Sequence, residues 1–205
     1  MTDSTEPLGA TTGQDTSGLL LHNKSSREEI NAAETEAIDK ASTKYVHRAR
    51  KKSRDSEWLT DKFIRKVHHD MFGKVWDWAG KYRTIRLNIG VEPHVISEQI
   101  KLLCGDFLVW SSSTSPMPVL EIAARLHHRL TKIHPFKDGN GRHARLMTDI
   151  FLHSLDHPLP KWPQIHRLTQ GDVIRKQYIA ALKAGDEGDY SALTVLFEDW
   201  RIEKK

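Results

Sequence analysis

The chain has 205 residues, 28% of them charged and 38% hydrophobic, a profile that excludes a disordered or membrane-embedded polypeptide. No stretch approaches the roughly 18 apolar residues of a membrane span, and the start lacks the basic-then-apolar pattern of a secretory leader. The net charge of +4 is spread along the chain. Only Arg48, Arg50, Lys51, Lys52 and Arg54 form a dense run, which suits the solvated C-terminal end of a helix better than a nucleic-acid patch. Cys104 is the single cysteine, so no internal disulfide forms. It lies in an apolar run and fits a buried position in a reducing, cytoplasmic compartment.

Residues 1–24 are rich in Thr, Ser, Gly and Asp and read as a mobile tail with too little apolar surface to order itself. Residues 25–56 read as an N-terminal helical segment and 57–205 as the main domain. Ser26-Arg27-Glu28-Glu29 has capping-box spacing, and Ile30, Ala33, Ala37, Ala41 and Tyr45 continue as a helical stripe. A second helix follows Thr60, with Phe63, Ile64, Val67 and Met71 on one face and Gly73 as its stop. Between it and a third helix from Ser97, the segment 84–91 alternates apolar residues at every second position. With His94-Val95-Ile96 returning after Glu92-Pro93, this predicts a short β-hairpin. Such an edge offers unpaired backbone groups to a visiting chain. A fourth helix starts near Pro118, a fifth at about Gly141, a sixth covers 172–184 with Gly185 as its stop, and a seventh runs from Ser191. The fold class is mainly α.

The densest chemistry lies in His134-Pro135-Phe136-Lys137-Asp138-Gly139-Asn140-Gly141-Arg142-His143-Ala144-Arg145. Pro135 ends the preceding helix, so His134 enters a loop from a helix end. Asp-Gly-Asn-Gly is turn chemistry that feeds a new helix, and the N–H groups of such a junction attract anions, phosphate above all. Arg142 and Arg145 are three apart in the first turn, on one side. Two cations there oppose the helix dipole, and guanidinium forks match phosphate oxygens. Asp138 is the single carboxylate that commonly completes a Mg²⁺ site beside phosphates. Each part alone is ordinary. In this order within twelve residues they read as base, metal ligand, anion cradle and cation clamp.

This run resembles the Fic family pattern HPFx(D/E)GNGRxxR, matched at every fixed position. The stretches from His69 to Thr84 and from Tyr178 to Tyr190 are similar to segments flanking the family's motif, so the likeness covers roughly residues 57–200. Within the family, the arrangement of short N-terminal helix and core looks similar to the bacterial "mobile mystery protein B" group. The resemblance implies a Fic-type helical bundle with a hairpin flap and a protein adenylyltransferase activity, moving AMP from Mg·ATP to a Ser, Thr or Tyr hydroxyl of a target protein. It implies His134 as general base, Asp138 as the Mg²⁺ ligand, and Asn140 with the backbone of Gly139 and Gly141 stabilising the α-phosphate. Arg142 and Arg145 would grip the outgoing pyrophosphate. Phe136 and Lys137 would join the nucleotide site, and Tyr178, with Asp186 nearby, would pack against adenine. Ile89, Gly90 and Val91 would dock the target on the flap. Many Fic proteins carry an inhibitory (S/T)xxxE(G/N) helix whose Glu pairs with the second motif arginine, here Arg145. Glu29, four residues after Ser25, is the candidate, although Ile30 replaces Gly or Asn and the capping box also claims Glu29. Thr194 to Glu198 is a looser match. Without either, inhibition falls to an antitoxin-like regulator.

Other members of the family transfer UMP, phosphocholine or a terminal phosphate, and retention of Gly141, Arg142 and Arg145 favours AMP. A basic nucleic-acid module lacks a zinc pattern or RNP-like segment to support it. A metal hydrolase using His68, His69, His127, His128, His134 and Asp138 lacks any fixed ligand spacing.

Overall fold

The computed structural model describes residues 16–22, 25–47, 58–163 and 172–201. The basic run at 48–54 lies outside them, as do residues 1–15 of the expected tail. Among the described residues, seven α-helices carry the fold: α1 (Arg27–Ser42), α2 (Asp61–Phe72), α3 (Ile96–Trp110), α4 (Val119–Ile133), α5 (Asn140–Ser154), α6 (Val173–Asp186) and α7 (Ser191–Asp199). α1 continues into a π-helical turn at Thr43–His47.

α4 is the central helix. Ile122, Ala123, Ala124, Leu126, His127, His128, Leu130 and Ile133 are all buried, more than one face can supply, and α3, α5, α6 and α7 pack around it. The α5 residues Met147, Phe151 and Leu152 meet it in a core that also takes Phe107 from α3 and Phe197 from α7. α1 packs on α2. Its capping box is formed as expected: Ser26 Oγ accepts from the Glu29 N–H at 3.2 Å, and Glu29 Oε2 accepts from the Ser26 N–H at 2.7 Å.

Three expectations need correction. Segment 84–96 makes no strand ladder: among the described residues the only β-bridges are Leu19 with Trp76 and Pro160 with Arg201. The alternating apolar residues have no second strand to pair with, because Pro93–Val95 forms a 3-10 turn that runs straight into α3. Ile85 is accordingly left 52% exposed. The segment is a loop, and the buried guanidinium of Arg83 shapes it. Its Nε donates to the His134 carbonyl at 2.7 Å and its Nη1 to the Ile85 carbonyl at 2.9 Å, while Nη2 donates to the Val91 carbonyl. Second, the end of the supposed tail is docked: the Leu20 N–H donates to the Val75 carbonyl and the Asp77 N–H to the Gly18 carbonyl, both at 2.8 Å. Third, α6 runs past Gly185 to Asp186, and the left-handed turn falls on Gly188, φ 87°.

Candidate active site

The motif joins the end of α4 to the start of α5. His134 caps α4 in the left-handed conformation, φ 51°, ψ 60°, rare for a residue with a side chain and a known mark of functional strain. Gly139 precedes α5 at φ 76°, where a Cβ would lie 2.5 Å from the Phe72 ring, so only glycine fits. Between them Phe136 is a wedge. It is fully buried and stacks on His68 with centroids 3.7 Å apart. His68 fixes the loop from beneath. Its Nδ1 accepts from the Gly80 N–H and its Nε2 donates to the Asp138 carbonyl, both at 3.0 Å. Burial drives its pKa well below the ordinary imidazole value, so it serves as a neutral strut.

A cleft of about 830 Å³ opens above this junction. His134, Asp138, Gly139, Asn140, Gly141, Arg142, Arg145 and Tyr178 line it, together with Ile89, Gly90 and Val91 of the loop. The first-turn N–H groups of α5, which a helix leaves without intrahelical acceptors, belong to this wall. The cleft thus joins an anion-attracting helix start to two guanidinium groups and an imidazole.

His134 is 7% exposed. Its Nδ1 lies 3.3 Å from the Thr131 carbonyl, a contact that assigns the proton to Nδ1 and leaves Nε2 basic. Burial lowers its pKa to about 4; the Thr131 carbonyl opposes this and the nearby Arg83 charge adds to it. The imidazole is therefore neutral at pH 7, the state a proton acceptor requires. Asp138 keeps 42% of its side chain exposed. One oxygen accepts from the Gly139 N–H at 2.5 Å, and the other lies 3.7 Å from Arg142 Nη2. A single accessible carboxylate beside a phosphate cradle is a donor set that fits Mg²⁺. No group of three or more His, Cys, Asp or Glu residues that could hold a metal gathers among the described residues.

Not every expected residue lines the cleft. Phe136 and Lys137 are not part of the cleft wall: Phe136 is core, and Lys137 Nζ donates to Ser17 Oγ at 2.7 Å. Asn140 is 3% exposed and its amide is spent on the turn. Its Oδ1 accepts from the Phe136 N–H at 2.9 Å, and its Nδ2 donates to the Phe136 carbonyl at 2.8 Å. It holds the turn together and still lines the cleft. Tyr178 lies at the wall and its hydroxyl is 2.7 Å from His127 Nε2. Asp186 also lines the cleft, 2.9 Å from Lys132 Nζ. Glu198 pairs with Arg201 at 2.8 Å, on the helix that buries Leu193 and Phe197.

Glu29 does not reach the arginines, because the capping box holds it. Glu34, one and a half turns further along α1, does. Its Oε2 lies 2.5 Å from Arg142 Nη1 and its Oε1 accepts from Trp76 Nε1 at 2.7 Å, with only 9% of the side chain exposed. Arg27 and Asn31 of the same helix also border the cleft. A sequence signal for Glu34 existed: it falls between Ile30 and Ala37 on the buried stripe, and a carboxylate on an apolar face needs a partner.

The end of α4, the start of α5 and two guanidinium groups thus converge on one cleft. Residues 58–152 match the Fic/DOC family model, and the chain carries a Fic/DOC family domain. It is similar to "Protein adenylyltransferase fic-1" of Caenorhabditis elegans, 28% identical over 193 residues, 91% of this chain and 35% of that protein. "Protein adenylyltransferase Fic" of Nematostella vectensis is 31% identical over 137 residues, 65% of this chain and 30% of that one. The chain thus spans about a third or less of these relatives' length. The solved "Fic-1 (aa134 - 508)" of C. elegans superposes with a TM-score of 0.64 at 25% identity, covering 90% of this chain and 52% of that one. The BepC protein of Bartonella tribocorum, solved with bound AMPPNP, shares the fold over 99% of this chain and 100% of its own, with a TM-score of 0.64 at 19% identity.

Proposed function

We propose that the protein is an adenylyltransferase that moves AMP from Mg·ATP to a hydroxyl side chain of a target protein. The observation that carries this reading is a neutral His134 beside the N-terminus of α5, with Arg142 and Arg145 bordering the same cleft. The triphosphate lies along the α5 N–H groups, with Tyr178, Ile179 and Leu182 walling the end that takes the base. Asp138 is the residue that would hold Mg²⁺, which supplies charge neutralisation of the phosphates. The target segment lies against Ile89–Val91, bringing its hydroxyl to His134. As that oxygen bonds to the α-phosphorus, its proton passes to His134 Nε2. The bond from the α-phosphorus to the bridging oxygen breaks, and pyrophosphate leaves toward the arginines. The rate comes from alignment and a prearranged field rather than covalent catalysis by the protein.

Glu34 supplies a built-in brake. While it holds Arg142, that guanidinium is turned from the phosphates, so the chain carries its own inhibition. The lone cysteine fits a cytoplasmic setting.

The test is incubation with α-labelled and γ-labelled ATP in parallel. Transfer of the α-label to protein, abolished by His134→Ala, is the expected result. Transfer of the γ-label would instead establish a phosphotransferase, and label retained by His134→Ala would remove the proposed base.

A further inference from the structure

The segment ahead of α1 is tied, bond by bond, to the side chain that restrains Arg142. Leu19 forms an antiparallel bridge with Trp76. On either side of it the Leu20 N–H donates to the Val75 carbonyl and the Asp77 N–H to the Gly18 carbonyl, both at 2.8 Å. Leu19 and Leu21 pack partly buried against the core, while Leu20 between them is 55% exposed. The segment is thus a one-sided strap with the alternation of an extended chain. A pairing this short is marginal by itself, and elements with few buried contacts open at small cost.

Trp76 joins the strap to the restraint. Its backbone bridges Leu19, and its indole Nε1 donates to Glu34 Oε1 at 2.7 Å. Glu34 Oε2 in turn accepts from Arg142 Nη1 at 2.5 Å. An indole keeps its N–H on a fixed acceptor only while its own backbone stays in place. The Trp76 N–H bonds back to the Phe72 carbonyl at 2.9 Å, so the end of α2 holds this turn from one side and the strap holds it from the other. The ring also stacks on Trp78, with centroids 5.2 Å apart. A separate tie runs from the strap to the motif loop, where Lys137 Nζ donates to Ser17 Oγ at 2.7 Å. Gly18 lets the strap cross so closely. Its φ is 85°, and a Cβ there would collide with Asp77 Oδ1 and lie 2.8 Å from Trp78 Cδ1, so both backbone and space exclude a side chain.

We propose that residues 17–20 are a latch on this restraint: paired, they hold the Trp76 indole against Glu34 and keep Arg142 from the nucleotide, and their release frees the arginine. This rests on the reading that Glu34 restrains AMP transfer. The test compares the full chain with Gly18→Val, Glu34→Ala and the double variant. Hydrogen exchange at the Leu20 and Asp77 amides reports the strap, and incorporation of α-labelled AMP into protein reports the restraint. Gly18→Val is expected to expose both amides and to raise labelling about tenfold, the change produced when a hydrogen bond to a charged group is lost from the restrained state. In the Glu34→Ala background, where the restraint is already gone, Gly18→Val should add nothing. Exposed amides with labelling unchanged would overturn the latch. Lowered labelling would overturn it too, and would mean that the strap steadies the motif loop through Lys137. An equal rise in the Glu34→Ala background would show the strap acting on the cleft without the carboxylate, again against the latch. If Glu34→Ala itself leaves labelling unchanged, the underlying restraint falls and the latch with it, whereas activation by Glu34→Ala alone spares the restraint and rejects only the latch. Should Gly18→Val leave the amides protected, Leu19→Asp, which sets a carboxylate among apolar side chains, takes its place with the same expected outcomes.

Discussion

Replacing Glu34 tests whether α1 restrains the proposed transfer. The carboxylate makes two contacts, one to Arg142 at 2.5 Å and one from Trp76 Nε1 at 2.7 Å, and is almost entirely shielded from water. A hydrogen bond to a charged group contributes about 1.5–3 kcal/mol. Arg142 must give up its bond to Glu34 before it serves a phosphate, and each ~1.4 kcal/mol is a factor of ten. Glu34→Ala should therefore raise incorporation of α-labelled AMP into protein roughly 10- to 100-fold at saturating Mg·ATP. The same change strands the Trp76 N–H, at a cost of about 1–3 kcal/mol for a buried unsatisfied donor, so the variant should melt earlier. Glu34→Gln separates the two effects, since its amide oxygen still accepts from Trp76 while the charge facing Arg142 is gone. It should release activity with a smaller loss of thermal stability. Labelling by Glu34→Ala at or below the wild-type level, in protein shown by circular dichroism to be folded, would refute the restraint.

Three further outcomes follow from the cleft. The His134 pKa lies below its unfolded value, so the neutral base persists as pH falls from 7 and is lost only as pH passes through about 4. In the Glu34→Ala background, kcat/KM for ATP should stay flat down to pH 5.5, and a half-loss near pH 6.5 would contradict the buried setting. Gly90→Ala should abolish transfer while leaving the helical spectrum intact. The added Cβ would lie 2.6 Å from His134 Cβ and 2.7 Å from Arg83 Nη2, at φ 100°; near-normal turnover would show that the loop relaxes away. Asn140→Ala removes two buried hydrogen bonds to Phe136, at about 1 kcal/mol each. Its urea midpoint should fall and its KM for ATP rise, and an unchanged midpoint would mean that backbone geometry alone holds the turn.

The helices were legible in the sequence because their signals are local: the Ser26 capping box, Thr60 before α2, and apolar residues at three- and four-residue steps. The motif was legible because turn residues and paired arginines occur together within twelve positions. The loop at 84–92 was misread because alternation reports only where apolar side chains point, and pairing needs a second strand that Pro93 and the start of α3 preclude. Glu34 was missed because its partner lies 108 residues away, whereas Glu29 satisfied a local pattern. The motif implies ligand contact for both Phe136 and Asn140, but Phe136 is core, and Asn140, while lining the cleft, spends its side-chain amide on the turn. The structure shows them bonding to each other, which no spacing rule reveals.

The three bonds of Arg83 have a mechanical consequence. One planar group clasps the carbonyls of Ile85, Val91 and His134, so the rim where a target would rest and the backbone of the proton acceptor share a common fastening. Tension applied by a polypeptide docked at that rim would reach the His134 backbone through this guanidinium. An ill-fitting visitor that drags the rim aside would thereby spoil the alignment of the very group it needs, and selectivity for the acceptor chain would be read out as rate as well as affinity.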